Sequence, residues 1–285
     1  MSGRATRGSN DGLRPPGLME EETTGMTSIE PGPLSSADLS TYRNEGYLVL
    51  RGVFSSPEVS ALAAEADRLL QRRDLIDSAN LRCRWQNHFA TDECLFECFD
   101  PVIDISERYT RVAHDERILE PLSAIYQDRA RLFKDKLIFK PPGARGYSLH
   151  QDYIGWPDFP RSFVTVLVAI DAADADNGAT EVFAGCHRDG YLSPEDGEYH
   201  ELPLEMVDPS RGIKLELQPG DIAIFGCFTP HRSQPNRSSR WRRQLYLSYN
   251  ADGDGGERRT RHYQEFHRWL RKKYAEYGKT EVYFR

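Results

Sequence analysis

The alternation of apolar and polar residues divides the chain into a first half with helical patterns and a second half with strand patterns. In the first half, apolar residues at helical spacing predict a short helix that begins near Ser35 and a longer one that begins near Ser56. A strand from about Tyr47 to Arg51 separates them, and a third helix is predicted around Glu116 to Tyr126. The apolar face of the longer helix is expected to pack on a sheet.

From residue 131 onward the chain consists of short strand-like runs separated by Pro, Gly, Asn and Asp. The runs are RLFKDKLIFK, YSLHQDY, SFVTVLVAI, TEVFAG, IKLELQ, DIAIFG and RRQLYLSYN. Many short strands with turn signals between them are typical of a sandwich or a barrel. The predicted fold class is therefore mainly β with flanking helices (α+β).

The first 33 residues differ in composition from the rest. They are rich in Gly, Pro, Ser and Thr, carry an acidic cluster and show no sustained apolar period. Such a segment cannot offset the entropy of ordering. We therefore predict a disordered N-terminal tail over residues 1–33 and a single domain over residues 34–285.

The overall charge and the cysteines exclude several classes of function. The net charge of −7 arises from interspersed acids and bases, so no basic block indicates nucleic acid as a partner. No apolar run approaches the roughly 20 residues that cross a bilayer, and no signal peptide is evident. Five cysteines without metal-type spacing indicate reduced thiols. A soluble, cytoplasmic protein is expected, and the sequence does not indicate its oligomeric state.

The stretch SLHQDY places an imidazole and a carboxylate on one face of a predicted strand, at His150 and Asp152. Two such groups suggest a metal site, although a buried histidine hydrogen-bonded to an aspartate is the alternative. His231 follows the run DIAIFGCFTP at the start of a loop. Two histidines and one carboxylate on a jelly-roll scaffold make a facial triad that leaves iron positions open for cosubstrate and oxygen. The other histidines, at 88, 114, 187, 200, 262 and 267, are interpreted as ordinary polar residues.

Several segments together resemble the phytanoyl-CoA dioxygenase family of Fe(II)- and 2-oxoglutarate-dependent oxygenases. They are NEGYLVLRGVF, LHQD, DADNGATEVFAGCHRDG, LQPGDIAIF and HRSQPNRSSRWRR, within a match spread over about residues 34–250. The resemblance implies a double-stranded β-helix (jelly-roll, cupin-like) core with helices outside it. It also implies ferrous iron on His150, Asp152 and His231, with 2-oxoglutarate and O2 as cosubstrates.

An arginine is needed to receive the far carboxylate of 2-oxoglutarate, because a planar guanidinium binds a carboxylate through two parallel bonds. Arg242 lies eleven positions beyond His231, on the polar face of the last predicted strand. In the family the corresponding arginine follows the last histidine at this distance. Arg240 is the alternative with the same parity, and Arg243 is expected to face the opposite side.

Two further side chains are candidates for cosubstrate binding. Ser233 matches the serine of the family's H-x-S pattern, although a loop-capping role is equally compatible with its position. Lys134, Lys136 and Lys140 share one parity in RLFKDKLIFK, which usually indicates a solvated face. Because this strand borders the cosubstrate pocket in the family, the resemblance implies that Lys136 or Lys140 helps to bind an anionic group, and Lys136 is the predicted cosubstrate residue.

The function predicted from these features is an oxygenase that hydroxylates, or otherwise oxidises, an unactivated C–H bond of a small metabolite and releases succinate and CO2. Asp152 stands where halogenating relatives have a small residue, which argues against halogenation. Tyr153, Trp156 and Phe159 follow it and are interpreted as substrate walls or as core. The alternatives are a cupin-like metal-dependent isomerase or hydrolase and a non-catalytic jelly-roll binding module.

Overall fold

Two antiparallel sheets and five helices make up the part of the chain that the computed structural model describes, residues 26–30, 32–156 and 158–285. The helices are α1 (Ser36–Glu45), α2 (Ser56–Leu70), α3 (Glu107–Ala113), α4 (Glu116–Tyr126) and α5 (Arg259–Glu276). The strands are β1 (Tyr47–Leu50), β2 (Cys83–Asn87), β3 (Cys94–Phe99), β4 (Ala130–Lys140), β5 (Tyr147–His150), β6 (Val164–Ala169), β7 (Thr180–Phe183), β8 (Gly212–Lys214), β9 (Ile222–Gly226), β10 (His231–Ser233) and β11 (Arg242–Ala251).

The strands are ordered as two layers of a jelly roll. The larger sheet has the order β1-β9-β6-β11-β4-β3-β2 and the smaller sheet the order β5-β10-β7-β8. Apolar side chains from both sheets, among them Val49, Leu167, Val182 and Phe225, are buried against each other. The predicted jelly-roll core with flanking helices is thus confirmed.

A second core lies on the outer side of the larger sheet. Helices α2, α3 and α4 cover this side, and Leu62 and Leu69 of α2 belong to the same buried cluster as Leu245 and Leu247 of β11. As the helical spacing of its apolar residues predicts, α2 therefore buries one face on a sheet. Its N-cap is Ser55 rather than Ser56, a difference of one residue.

Four elements were not predicted. The β2–β3 hairpin and helix α3 lie in a stretch where apolar residues are frequent but irregularly spaced, and α5 is dominated by charged side chains. The predicted strand IKLELQ ends early, because β8 stops at Lys214 and Leu217 makes only an isolated bridge to Ala173. The early end of β8 reflects pairing with β7, a strand distant in the chain, rather than the local pattern.

Most of the predicted tail, residues 1–25 and 31, lies outside the described residues. Ile29 is described, and it pairs with β1. Its N–H donates to the carbonyl of Val49 at 2.8 Å, and its carbonyl accepts from the N–H of Arg51 at 2.9 Å. The part of the chain that pairs with the sheet thus begins at Ile29, before the predicted end of the tail at residue 33.

No helix within the described ranges combines the length and the apolar character that a membrane crossing requires.

Helix α5 is fixed to β4 by a buried carboxylate. Asp135 is completely buried and forms an ion pair with Arg259, at the start of α5. It also accepts the backbone N–H groups of Val102 and Ile103 at 2.6 and 2.9 Å. This one side chain therefore holds the C-terminal helix and the turn after β3 in place.

Replacing Asp135 with alanine is expected to lower the free energy of unfolding by about 3–5 kcal/mol, because it leaves a partly buried guanidinium and two backbone donors without their acceptor. Urea denaturation followed by circular dichroism measures the loss. Asp74→Ala is the control, since it removes an exposed acid that pairs with Arg72. An unchanged unfolding midpoint for Asp135→Ala would show that α5 is held by other contacts.

Candidate active site

Two histidines and an aspartate converge at the open edge of the smaller sheet. His150 ends β5, His231 begins β10, and the register of the two strands places them directly opposite each other. One ligand atom from each of His150, Asp152 and His231 lies within 4.8 Å of the others. The Nε2 atoms of both histidines are 3.7 Å from Asp152 Oδ1. Strand pairing thus brings the two predicted histidines together. Asp152, predicted on the same strand as His150, lies two residues beyond the end of β5 and still directs its carboxylate to both imidazoles.

Hydrogen bonds orient all three side chains. His150 Nδ1 lies 2.8 Å from the carbonyl of Ser148, and His231 Nδ1 lies 3.0 Å from the carbonyl of Thr229. Because a carbonyl only accepts, each Nδ1 carries the proton and each Nε2 keeps a lone pair for a metal. Thr165 Oγ1 donates to Asp152 Oδ2 at 2.7 Å, which leaves Oδ1 directed at the two imidazoles.

The protonation states suit a divalent cation. Burial and the neighbouring His231 lower the pKa of His150 to about 3. Burial alone would raise the pKa of Asp152, but His231, His150 and Lys136 lower it to about 2. The site therefore presents a neutral His150 imidazole and a carboxylate anion at neutral pH, the forms that bind metal. Two nitrogen donors and one oxygen donor with open positions fit non-haem Fe(II).

The triad opens into a cavity of about 580 Å³ between the two sheets. Residues of β4, β5, β10 and β11 line it on the sheet side, and α5 contributes side chains at its mouth. A cavity of this volume holds a small ligand together with a small cosubstrate rather than a macromolecule.

Ser233 and Lys136, two of the predicted cosubstrate residues, line this cavity. Lys136 Nζ lies 5.2 Å from the centre of the Tyr246 ring, and the structure shows no ion pair for it among the described residues. Ser233 Oγ accepts from Lys140 Nζ at 2.9 Å. The lysines of β4 therefore face the interior. The usual interpretation of such a pattern, a solvent-exposed face, is wrong for this strand.

Arg242 lies beneath the cavity wall rather than on it. Its side chain is 1% exposed, and Nη1 donates to Gln244 Oε1 at 2.5 Å. Its Nε has no hydrogen-bond partner among the described residues. Lys140 is its direct neighbour across the β4–β11 pairing and is also fully buried. Burial and the adjacent Arg242 lower the pKa of Lys140 to about 6.

The two neighbouring arginines are engaged elsewhere. Arg243 pairs with Asp171 at 2.8 Å and with Asp67 at 2.7 Å, on the helix side of the larger sheet. Arg240 is exposed and pairs with Asp174 at 2.7 Å. Strand parity therefore separates Arg242 from Arg243 as expected, and Arg240 is not directed to the cavity.

Sequence reasoning missed the residues that close the cavity opposite the triad. Arg84 and Asp100 come from the unpredicted β2–β3 hairpin and its end, and His262 comes from α5. His262 was interpreted as an ordinary polar residue, but it is 3% exposed and lines the cavity, because α5 folds back across the mouth. The spacing of His262, Phe266 and Trp269, at i, i+4 and i+7, is the helical signal that indicates this face.

The aromatic residues after Asp152 divide between the two predicted roles. Trp156 and Phe159 line the cavity, whereas Tyr153 packs behind them in an aromatic cluster with Phe133 and Phe163. The cluster makes the wall beside the triad apolar.

A jelly roll that carries two histidines and one aspartate around an interior cavity defines the class of non-haem Fe(II) oxygenases. The sequence profile of the phytanoyl-CoA dioxygenase (PhyH) family matches residues 42–244. The chain belongs to the phytanoyl-CoA dioxygenase family, as its segments indicated.

Individual relatives are similar over most of the domain. The chain is 28% identical over 226 residues to a 2-aminoethylphosphonate dioxygenase of an uncultured bacterium, HF130_AEPn_1, covering 76% of this chain and 82% of the relative. It is 32% identical over 164 residues to a methylphosphonate hydroxylase of Gimesia maris, covering 58% and 60%. Among solved structures, EctD from S. alaskensis with 2-oxoglutarate and 5-hydroxyectoine aligns with a TM-score of 0.66 at 22% identity, covering 81% and 84%.

The chain is an Fe(II)- and 2-oxoglutarate-dependent dioxygenase, and the predicted enzyme class and cofactors are confirmed. Neither the isomerase or hydrolase alternative nor the binding-module alternative fits membership in this family.

Replacing Thr165 with valine removes the hydroxyl that holds Asp152 and keeps the shape of the side chain. We expect the affinity for Fe(II) to fall by about 10- to 100-fold, the usual cost of losing a residue that orients a metal ligand. Equilibrium dialysis under nitrogen measures the affinity. Thr180→Val is the matched control, because the Thr180 hydroxyl lines the same cavity but contacts Tyr246 Oη at 3.3 Å. Equal affinities in the two variants would contradict the role of Thr165.

Proposed function

We propose that this dioxygenase oxidises an unactivated C–H bond of a small polar metabolite, most simply by hydroxylation, at a centre formed by His150, Asp152 and His231. The observation that carries the proposal is the convergence of three oriented donor atoms within 4.8 Å. The volume of the cavity they open into, about 580 Å³, supports a small substrate. Iron, when bound, supplies the oxidative decarboxylation of 2-oxoglutarate to succinate and CO2 coupled to oxidation of the substrate.

The protein side chains orient the ligands and exclude water. The carbonyls of Ser148 and Thr229 fix the imidazoles, and Thr165 fixes the carboxylate. Phe159 and Trp156 form the apolar part of the wall. An apolar, enclosed surface of this kind limits the entry of water during the reaction.

A buried arginine beside a buried lysine supports the proposed position of the distal carboxylate of 2-oxoglutarate. Arg242 and Lys140 lie side by side, and neither forms an ion pair with any described acid. Burial and the adjacent Arg242 lower the pKa of Lys140 to about 6, and a bound carboxylate would favour the charged form of this lysine. The carboxylate would be received by Arg242 and Lys140 with Ser233, and the oxygen of Gln244 occupies the acceptor place beside Arg242. Lys136 lies further along β4 and would add positive charge nearer to the metal.

The names of the relatives support a small polar substrate. They include enzymes named for 2-aminoethylphosphonate, methylphosphonate and ectoine, each a molecule small enough for the cavity. A free metabolite, rather than nucleic acid or a membrane, is therefore the proposed partner. All five cysteines are free, which supports the proposed cytoplasmic location.

One titration tests the proposal directly. Purified protein is loaded with Fe(II) under nitrogen, and 2-oxoglutarate is added while the visible spectrum is recorded. We expect the charge-transfer band of a keto acid chelated to iron. Protein that binds both Fe(II) and 2-oxoglutarate without showing the band would contradict the proposed centre.

The same titration tests Arg242. Arg242→Ala should leave Fe(II) binding unchanged and weaken 2-oxoglutarate by about 2–5 kcal/mol, as for the truncation of one member of a desolvated charge pair. Arg242→Lys should recover part of the loss, because an ammonium cannot make two parallel bonds. Arg243→Ala is the control, since its guanidinium pairs with Asp171 on the opposite face. A larger loss of 2-oxoglutarate affinity in Arg243→Ala than in Arg242→Ala would show that the carboxylate binds on the opposite face of β11, against the proposal.

Activity is proposed to reside in the single domain and not in the N-terminal tail. A chain that begins at Met26 keeps Ile29 paired with β1. It should turn over 2-oxoglutarate at the rate of the full chain, measured as succinate released. A chain that begins at residue 34 loses that pairing and should unfold at a lower temperature. Loss of turnover in the Met26 chain with its thermal stability retained would give residues 1–25 a role in catalysis.

A further inference from the structure

The end of the cavity opposite the triad carries more positive charge than its acid neutralises. Arg84 and Lys134 share one carboxylate oxygen, Asp100 Oδ2, at 3.9 and 3.6 Å. The other oxygen of Asp100 accepts from Tyr263 Oη at 3.2 Å. Neither cation has a second ion-pair partner among the described residues. Glu97 also lines the cavity, but it accepts from Tyr147 Oη, burial raises its pKa, and it forms no ion pair with either cation. Arg84 and Lys134 therefore share a single ion-paired carboxylate.

Two polar nitrogens at the same place lack hydrogen-bond partners. Arg84 Nη2 and His262 Nε2 are both buried, and within the described chain neither has a partner within hydrogen-bond distance, since Asp100 Oδ2 is 3.9 Å from Arg84 Nη2. Arg84 Nη1, in contrast, is fixed by the carbonyls of Leu81 and Cys83. Leaving buried polar atoms unpaired costs free energy, so atoms of this kind mark the place of a missing partner.

One aromatic ring holds the two cations next to each other. Lys134 Nζ lies 4.2 Å and the Arg84 guanidinium 5.2 Å from the centre of the Phe266 ring. The same helix carries His262, one turn before Phe266. The arrangement is thus built from three elements, β2, β4 and α5, and each contributes one side chain to the cavity wall.

This end lies within the length of a small molecule from the metal centre. Lys134 pairs with Ser248, Ser248 pairs with Thr165, and the Thr165 hydroxyl donates to Asp152. Two strand spacings separate Lys134 from Thr165, which is about 10 Å between backbones. The lysine and carboxylate side chains point into the space between them.

We propose that Arg84, Lys134 and His262 form a subsite for an oxyanionic head group of the substrate, a phosphonate or a carboxylate. A guanidinium and an ammonium supply charge-assisted donors that match such oxygens, and an imidazole can add a further N–H. Burial and the neighbouring Lys134 lower the pKa of His262 to about 3, so the ring is neutral. A neutral ring can still offer one N–H without a protonation step.

The substrate class named here rests on the proposed function, since the head group would position a C–H bond at the proposed iron centre. The binding of an oxyanion is nevertheless measurable apart from turnover. Asp100 competes with the ligand for the same two cations. Removing its charge should therefore strengthen binding, whereas removing either cation should weaken it, and these opposite signs make the test specific.

The experiment is a calorimetric titration of the enzyme, loaded with Fe(II) and 2-oxoglutarate under nitrogen, with methylphosphonate and separately with propionate. At least one probe should bind the wild type, and the preferred probe decides between a phosphonate and a carboxylate subsite. Arg84→Gln and Lys134→Gln should each raise the Kd at least about tenfold, as expected for the loss of a charge-assisted contact. Asp100→Asn should lower it.

Arg111→Gln is the control, because Arg111 is an exposed cation whose acid, Glu107, is 3.9 Å away. Circular dichroism verifies the fold of each variant, and Arg84→Lys replaces Arg84→Gln if the latter does not fold. The subsite would be overturned if neither probe bound the wild type. It would also be overturned if the folded Arg84 and Lys134 variants bound the preferred probe with the Kd of the wild type. The visible band of 2-oxoglutarate on iron is recorded in each sample, so failure of the proposed centre is seen independently of oxyanion binding.

Discussion

The two-residue period of β11 is the constraint on which the rest of the structure depends. This strand lies between β4 and β6 in the larger sheet and must satisfy two different environments at once. Leu245, Leu247 and Tyr249 face the helices and are completely buried there. The alternate residues, from Arg242 to Ser248, face the interior between the sheets. A shift by one residue would exchange the two sets and place an arginine in the apolar core.

The interior of this jelly roll holds several charged side chains that are hydrogen-bonded to specific partners. Lys140 is bonded to Ser233 and to the carbonyl of Gly178, and Asp152 to Thr165. Partners of this kind reduce the cost of burial but leave net charge unbalanced where ions of opposite sign are absent. Arg242 has no acidic partner among the described residues, and burial beside it lowers the pKa of Lys140 to about 6, so an anion is missing at the place where a dicarboxylate is expected.

The sequence allows the ligand triad to be predicted because its geometry is local. His150 ends β5 and Asp152 follows it by two residues, and His231 begins β10 directly after a turn. The depth of Arg242 and the inward direction of Lys134 could not be predicted. Both depend on which strands pair with β4 and β11, a long-range property. The unpredicted helix α5 illustrates the same limit, since its apolar face is narrow and covers a cavity rather than a core.

Strand β4 runs from one end of the cavity to the other, and its lysines influence where anionic groups bind. Lys134, Lys136 and Lys140 all point inward because even spacings keep one parity, and the first and last are about 20 Å apart along the strand. The register through β11 and β6 places Thr165, which holds Asp152, two strands from Lys134, and Lys136 contributes to the low pKa of Asp152. Two bound anions repel least when they occupy opposite ends of this row of lysines. A dicarboxylate held by Lys140 and Arg242 therefore leaves the Lys134 end as the favourable place for the charge of a second molecule.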